Sequence, residues 1–224
     1  MIEEIVHFCS DQLRLEGVFA YNEDASPAIL LCSPHPNLGG DMENNIITSL
    51  ARVSGEMGFS SLRFNYRGVG SSECHTKDIA QIFQYWEDTM STENYLDAVN
   101  DTRSALHFLI SQLGMANKIF IAGYSFGCLV GMRVGVENKN VTAFASVSTP
   151  FGRYNLDFLR RCHKEKLFIY SRNDFATTEE EILKGFEQIP APKSIELIEN
   201  SDHFYRKQED LISKKICAFF QNIS

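Results

Sequence analysis

The chain has no Cys-x-x-Cys pair, no apolar run approaching the length of a bilayer-spanning helix, and no surplus of positive charge. Each absence removes a class of protein. With 21 Lys and Arg against 29 Asp and Glu, the net charge is −8, which argues against nucleic acid or an anionic membrane as the main partner. The six cysteines, at 9, 32, 74, 128, 162 and 217, are scattered and several sit inside apolar runs. They read as reduced core thiols of a cytoplasmic protein rather than a disulfide or metal framework. The opening residues Met1-Ile2-Glu3-Glu4 carry no basic region and no long apolar stretch, so no signal peptide and no membrane span are expected. No internal repeat and no low-complexity segment interrupts the sequence. The 224 residues are expected to form a single domain over 1–224, large enough to build a core without staples.

What is present centres on Lys118 to Met132. Ile119, Phe120, Ile121 and Ala122 form a short apolar run, as expected of a strand covered on both faces. Cys128, Leu129, Val130 and Met132 then begin a helix. Between them lies Gly123-Tyr124-Ser125-Phe126-Gly127, a Gly-x-Ser-x-Gly pattern. A strand that turns into a helix within one residue strains that residue's backbone. The positions two before and two after it are then crowded, which calls for glycine. The strain would hold the Ser125 hydroxyl out beside a helix N-terminus, where free N–H groups stabilise an anion.

The rest of the chain alternates strand and helix. Ile5–Ser10 and Leu13–Tyr21 read as a β-hairpin whose alternation suits a half-exposed edge, and 22–27 as a polar turn. Ala28–Cys32 is a buried strand. It ends in Ser33-Pro34-His35-Pro36-Asn37-Leu38-Gly39-Gly40-Asp41, a loop too rich in proline and glycine to pair in a sheet. Asp41 is the expected N-cap of the helix that follows. Strand Ser60–Phe64 leads into Asn65-Tyr66-Arg67-Gly68-Val69-Gly70, which lacks the third glycine of a dinucleotide fingerprint and reads as a shaped loop. Over 76–92, Ile79, Ile82, Phe83, Trp86 and Met90 fall at helical spacing opposite Gln81, Gln84, Glu87 and Asp88. This amphipathic insertion is either a lid walling an apolar pocket, or a helix packed on the domain surface or on the partner of a homodimer. A helix over 94–112 stops at Gly114. Strands at Val141–Val147, Leu167–Tyr170 and Ser194–Ile198, and helices from about Thr177 and Lys207, complete the pattern. Such alternation predicts an α/β fold: a mostly parallel twisted sheet with an N-terminal antiparallel hairpin and helices on both faces.

In such sheets functional groups gather where strands end at their C-terminal side. Ser125, Asp174 and His203 each stand at such an end. A serine hydroxyl needs a base to take its proton, and His203 has an intrinsic pKa near neutrality. Asp174 would fix the imidazole tautomer and stabilise the imidazolium; Asp202 competes for that role. The Phe126 N–H and the Asn37 N–H, with Leu38 as the alternative, are the expected oxyanion donors. His35 is weighed as a catalytic base against a loop-fixing role. With Leu38, Tyr124, Trp86, Phe83, Pro150 and Phe151, it is also a candidate for lining the pocket.

Ser33-Pro34-His35-Pro36 with Gly39-Gly40, Leu62–Ser71, Gly123–Gly127, Asp174 and Asp202-His203-Phe204 together resemble the α/β-hydrolase superfamily, above all its small members without a large cap. The resemblance spans essentially the whole chain. It implies a serine nucleophile, an acyl-enzyme and no cofactor, and names no substrate; the residues read as a serine hydrolase, without a metal, of a small acyl ester or thioester. A peptidase of the same fold and a binding protein without turnover are the competing readings.

Overall fold

A strand buried on both faces needs an apolar residue at nearly every position, and the central strands meet that demand. The protein's computed structural model describes residues 2–21, 27–92, 94–113 and 118–223. The stop expected at Gly114, and the polar turn at 22–27 except for Pro27, lie outside the described residues. Strands β1 (Ile2–Ser10), β2 (Leu13–Tyr21), β3 (Ala28–Cys32), β4 (Ser60–Phe64), β5 (Ile119–Tyr124), β6 (Val141–Val147), β7 (Glu165–Tyr170) and β8 (Ser194–Leu197) form one sheet in the order β1-β2-β4-β3-β5-β6-β7-β8. β1 and β2 run antiparallel and β2 meets β4 antiparallel; every later pairing is parallel.

The hairpin turns at Asp11 and Gln12, both at positive φ (47° and 70°), as a two-residue turn matched to strand twist requires. The expectation that β2 is a half-exposed edge is corrected. β1 is the edge, and β2 lies between β1 and β4, with every residue from Leu15 to Ala20 buried. Glu16 is tolerated there because it accepts from Asn65 Nδ2 (2.7 Å) and the Ser71 N–H (2.5 Å).

Alternation along each strand divides the core in two. Leu30, Cys32, Ile121, Phe144 and Phe168 face one layer, covered by α2 (Ile79–Thr92), α3 (Leu96–Leu113) and α4 (Phe126–Glu137). Ile29, Leu31, Phe120, Ala145 and Ile169 face the other, covered by α1 (Asn45–Glu56) and α6 (Glu209–Gln221). Helix α5 (Glu179–Gln188) starts from a capping box in which Thr178 and Glu181 bond reciprocally. The cap of α1 is Asn44, whose side chain accepts from the Ile46 N–H, rather than Asp41. Asp41 instead accepts from the Glu43 N–H and closes the turn before it. Among the described residues no helix is long and apolar enough to cross a membrane, and none of the six cysteines is in a disulfide.

The loop after β4 is fixed by a buried ion cluster. Arg67, 1% exposed, donates from its backbone N–H and guanidinium to Asp101, which is fully buried, and also meets Asp11 and Asp97. Removing one member of a buried pair strands the other's charge. Asp101→Ala should therefore cost about 3 kcal/mol in urea-induced unfolding, whereas the more exposed Asp97→Ala should cost about 1 kcal/mol or less. Equal losses would show that burial is not what makes this cluster matter.

Candidate active site

A single residue separates β5 from α4. Ser125 takes φ 53° and ψ −117°, a strained conformation for a residue with a side chain. Its N–H donates to the Val147 carbonyl (2.8 Å) and its carbonyl accepts from the Cys128 N–H (2.9 Å). A Cβ at Gly123 would lie 2.6 Å from Gly127 backbone atoms, so the two glycines do crowd each other across the turn. The tighter contact is elsewhere: a Cβ at Gly127 would lie 2.0 Å from the Cys32 carbonyl oxygen. The N-terminus of α4 is pressed against the end of β3, which brings the loop over 33–41 to Ser125.

The expected acid and base, Asp174 and His203, come from the ends of β7 and β8. Past those strands, Asn173 and Asp202 form one more parallel bridge, so the two following residues, Asp174 and His203, lie side by side. His203 Nδ1 is 2.7 Å from Asp174 Oδ1, and both side chains are buried. A carboxylate there places the ring proton on Nδ1 and leaves the Nε2 lone pair free. Asp202, the competing acid, accepts from the Phe204 N–H within its own loop. The Ser125 hydroxyl forms no hydrogen bond among the described residues, so its contact with the His203 ring is open in this state. Such contacts are often long without substrate and tighten when it binds.

Asp174 has further partners that the sequence did not reveal. Its Oδ2 accepts from the Ser148 hydroxyl (2.6 Å) and its Oδ1 from the Ala176 N–H (2.8 Å). Burial works to raise its pKa. The His203 hydrogen bond and charge outweigh that, aided by Ser148 and Ala176, and hold the carboxyl below its ordinary range. Because Ser148 gives its proton to Asp174, it accepts from the Tyr205 hydroxyl, 2.7 Å away. Tyr205 is fully buried, and burial pushes its own pKa up. Ser148 and Tyr205 both sit at φ 50°. The usable signal for Ser148 was its position just past the C-terminal end of β6; nothing local marked Tyr205. Tyr124, buried under the base, donates to the His203 carbonyl (2.6 Å), and the exposed Phe175 ring lies 4.8 Å from the His203 ring.

On the opposite side, the Phe126 N–H stands at the first position of α4 with no side-chain cap before it. The expected second donor is engaged: the Asn37 N–H donates to His35 Nδ1 (3.2 Å), and the Leu38 N–H to the His35 carbonyl (2.9 Å). In this state neither is free, which corrects the expectation of an open donor. His35 Nε2 lies 2.8 Å from Thr89 Oγ1, whose own proton goes to the Trp86 carbonyl. Nε2 therefore carries the ring's hydrogen and Nδ1 accepts. Burial holds the ring's pKa down to about 4, and both nitrogens are occupied with the loop and α2.

The pocket-lining expectations divide. Trp86 is 1% exposed, donates its indole N–H to the Arg67 carbonyl and meets the rings of His35, Tyr66, Tyr85 and Phe126. It anchors α2 rather than walling an open pocket. Leu38 and Phe83 are exposed and tied together by Asn37 Nδ2 donating to the Phe83 carbonyl (2.9 Å). Pro150 and Phe151 are buried. Phe151 packs on Phe168 and lines a cavity of about 410 Å³ with Leu156, Glu181, Lys184 and Ile189, which shares no lining residue with Ser125, Asp174 or His203. Among the described residues no group of three His, Cys, Asp or Glu side chains is placed to hold a metal ion.

No protein-family profile matches the chain. An uncharacterized protein of Rickettsia prowazekii (strain Madrid E) is 24% identical over 220 residues, 94% of this chain and 86% of its own. An alpha-beta serine hydrolase homologue from Coxiella burnetii superposes with a TM-score of 0.82 at 22% identity, covering 100% of this chain and 99% of that one. A member of the a/b serine hydrolases without lid, from Xanthomonas campestris, does so with a TM-score of 0.80 at 18% identity, over 98% and 94%. At these identities the likeness shows the fold, which is the α/β-hydrolase fold.

The Asp174 network makes a prediction with a fixed sign. A carboxyl whose pKa is depressed by folding adds stability above its unfolded pKa, and that stability is lost as pH falls through the folded value. Ser148→Ala removes one cause of the depression. The Asp174 carboxyl should then titrate at higher pH by NMR, and acid unfolding should begin at higher pH than in the native protein. An unchanged titration would mean that the Ser148 contact does not act on Asp174.

Proposed function

We propose, from the α/β-hydrolase fold and the groups gathered at its strand ends, that the protein is a serine hydrolase cleaving a carboxylic ester or thioester through an acyl-enzyme on Ser125. The observation that carries this is the buried His203–Asp174 hydrogen bond of 2.7 Å at the same sheet edge as a serine held at φ 53°. His203 Nε2 takes the Ser125 proton as the oxygen attacks the carbonyl carbon. Asp174 stabilises the imidazolium through Nδ1. The oxyanion develops beside the Phe126 N–H. The Asn37 N–H joins it once released from His35, each donor contributing about 2.7–4 kcal/mol. The imidazolium then protonates the leaving alcohol or thiol, and water enters by the reverse sequence to free the acid and Ser125.

The mouth supports an apolar acyl group of modest size. Leu38 and Phe83 on one side, and Phe175 and Phe204 on the other, are all exposed; Phe204 is joined to the start of α1 through Asn45 Nδ2. A cytoplasmic location remains part of the proposal, because four of the six scattered cysteines are buried as core thiols.

The test is labelling by a fluorophosphonate probe. The native protein should be labelled and a folded Ser125→Ala variant should not. Labelling that persists in Ser125→Ala would move the nucleophile elsewhere, and no labelling of the native protein would favour a binding protein without turnover. On p-nitrophenyl esters of graded chain length, Phe175→Ala should lose more kcat/KM on longer acyl chains than on acetate, by roughly ten-fold if a buried aromatic contact of about 1.5 kcal/mol is removed. Equal loss across the series would take Phe175 out of acyl recognition.

A further inference from the structure

The arginines of this acidic chain are not used evenly. Arg67 is enclosed by Asp11, Asp97 and Asp101, and Arg172 pairs with Glu179 and Glu199. Arg133 and Arg161 form no ion pair with a carboxylate among the described residues. Together with Tyr95, Asn155, Phe158 and Arg160 they line a groove of about 620 Å³ between α4 and the short 3-10 helix Asp157–Arg161. Its acidic lining residue, Asp157, is paired with Arg160 (2.8 Å). The groove thus keeps a surplus of two guanidinium charges in a chain whose net charge is −8. The Arg133 guanidinium lies 5.0 Å from the centre of the Phe158 ring, a contact that holds it in place. Planar guanidinium groups in a concave wall suit the oxygens of a phosphate, which they bind in pairs.

The groove lies within reach of Ser125. Arg133 is seven residues beyond Phe126, two turns along the same face of α4 and therefore about 10 Å from the helix start. The Tyr95 ring, part of the groove wall, meets the Phe126 ring edge-on at 6.5 Å and the Tyr154 ring at 5.8 Å. Arg153 is exposed in the segment that leads to Asn155 in the groove wall, and the His35 ring packs on Phe126 at 5.1 Å.

We infer that this groove holds the phosphate end of the leaving group, so that the substrate is an acyl thioester or ester whose thiol or alcohol carries a phosphate at the far end of an extended arm. The inference rests on the hydrolase reading of Ser125. The reaction adds water across the acyl bond: the carbonyl carbon gains an oxygen, its bond to sulfur or oxygen breaks, and His203 returns the proton to the departing atom. The phosphate remains on the arm and nothing is oxidised or reduced.

A matched pair of thioesters tests this, S-acetylpantetheine and S-acetyl-4′-phosphopantetheine, which differ only in the terminal phosphate. The native protein should prefer the phosphorylated compound in kcat/KM by about ten-fold, the value of one or two charge-assisted hydrogen bonds, with the gain in KM. In Arg133→Ala/Arg161→Ala, and in Arg161→Ala alone should the double variant fold poorly, that ratio should fall toward one. Inorganic phosphate should raise KM for the phosphorylated substrate alone. Equal kcat/KM for the two thioesters in the native protein would overturn the inference and leave the hydrolase intact. An equal effect of phosphate on both would also overturn it, by making the groove a site for the free ion. Failure to hydrolyse either thioester would overturn it too, and fluorophosphonate labelling of Ser125 would then say whether the underlying reading survives.

Discussion

A close approach between backbones underlies the candidate site. The start of α4 lies so near the end of β3 that a Cβ at Gly127 would be 2.0 Å from the Cys32 carbonyl oxygen. That contact leaves no room for a gradual turn, so the strain collects on Ser125, at φ 53°. It also sets the relation between the two N–H sources. Phe126 is carried by α4 and Asn37 by the loop leaving β3, so pressing one element on the other fixes where the two proposed donors lie relative to each other. A side chain at 127 would separate the serine from the loop that faces it before it changed any group that reacts.

Asp174 and His203 are held by a different device. Asn173 and Asp202 continue the β7–β8 pairing by one bridge, and the His203–Asp174 contact follows from that register. Asp174 then accepts from three donors, His203, Ser148 and Ala176. A buried carboxylate so surrounded keeps its charge against burial. Tyr205 closes the chain by donating to Ser148, so every proton in the network has one direction. The three donors favour the charged form of Asp174, which keeps an acceptor facing His203 Nδ1.

The sequence made visible those parts of this arrangement that depend on neighbours along the chain. Apolar runs marked the central strands, Gly123 and Gly127 marked the elbow, and the order of Ser125, Asp174 and His203 followed from where strands end. Contacts between distant segments left no such trace. Ser148 and Tyr205 are ordinary residues until folding brings them to Asp174. The stripe on α2 announced an apolar face but not how far it would be covered: Trp86 is buried while Ile79 and Phe83 on the same helix stay 83% and 54% exposed. Glu16 looked like the outward side of an edge strand because its partners, Asn65 and Ser71, lie some fifty residues on. Asn37 was chosen as a donor by position, and position does not say where an N–H points.

That last point joins the oxyanion side to α2. The Asn37 N–H rests on His35 Nδ1, His35 Nε2 rests on Thr89, and Thr89 rests on the Trp86 carbonyl. Trp86 is in turn fixed to Arg67, whose charge is buried against Asp101. A helix tied in this way is anchored, because moving it would break the buried Trp86 bond to the Arg67 carbonyl. The freedom to accommodate an oxyanion lies at the other end of the chain of contacts, in the 3.2 Å hydrogen bond from Asn37 to a neutral imidazole. A bond to a developing negative charge is about twice as strong as one between neutral groups, so under the proposed reaction an oxyanion would draw the Asn37 N–H away while His35 keeps its hold on Thr89. The site would then be completed by the transition state itself, with the rest of the wall left in place.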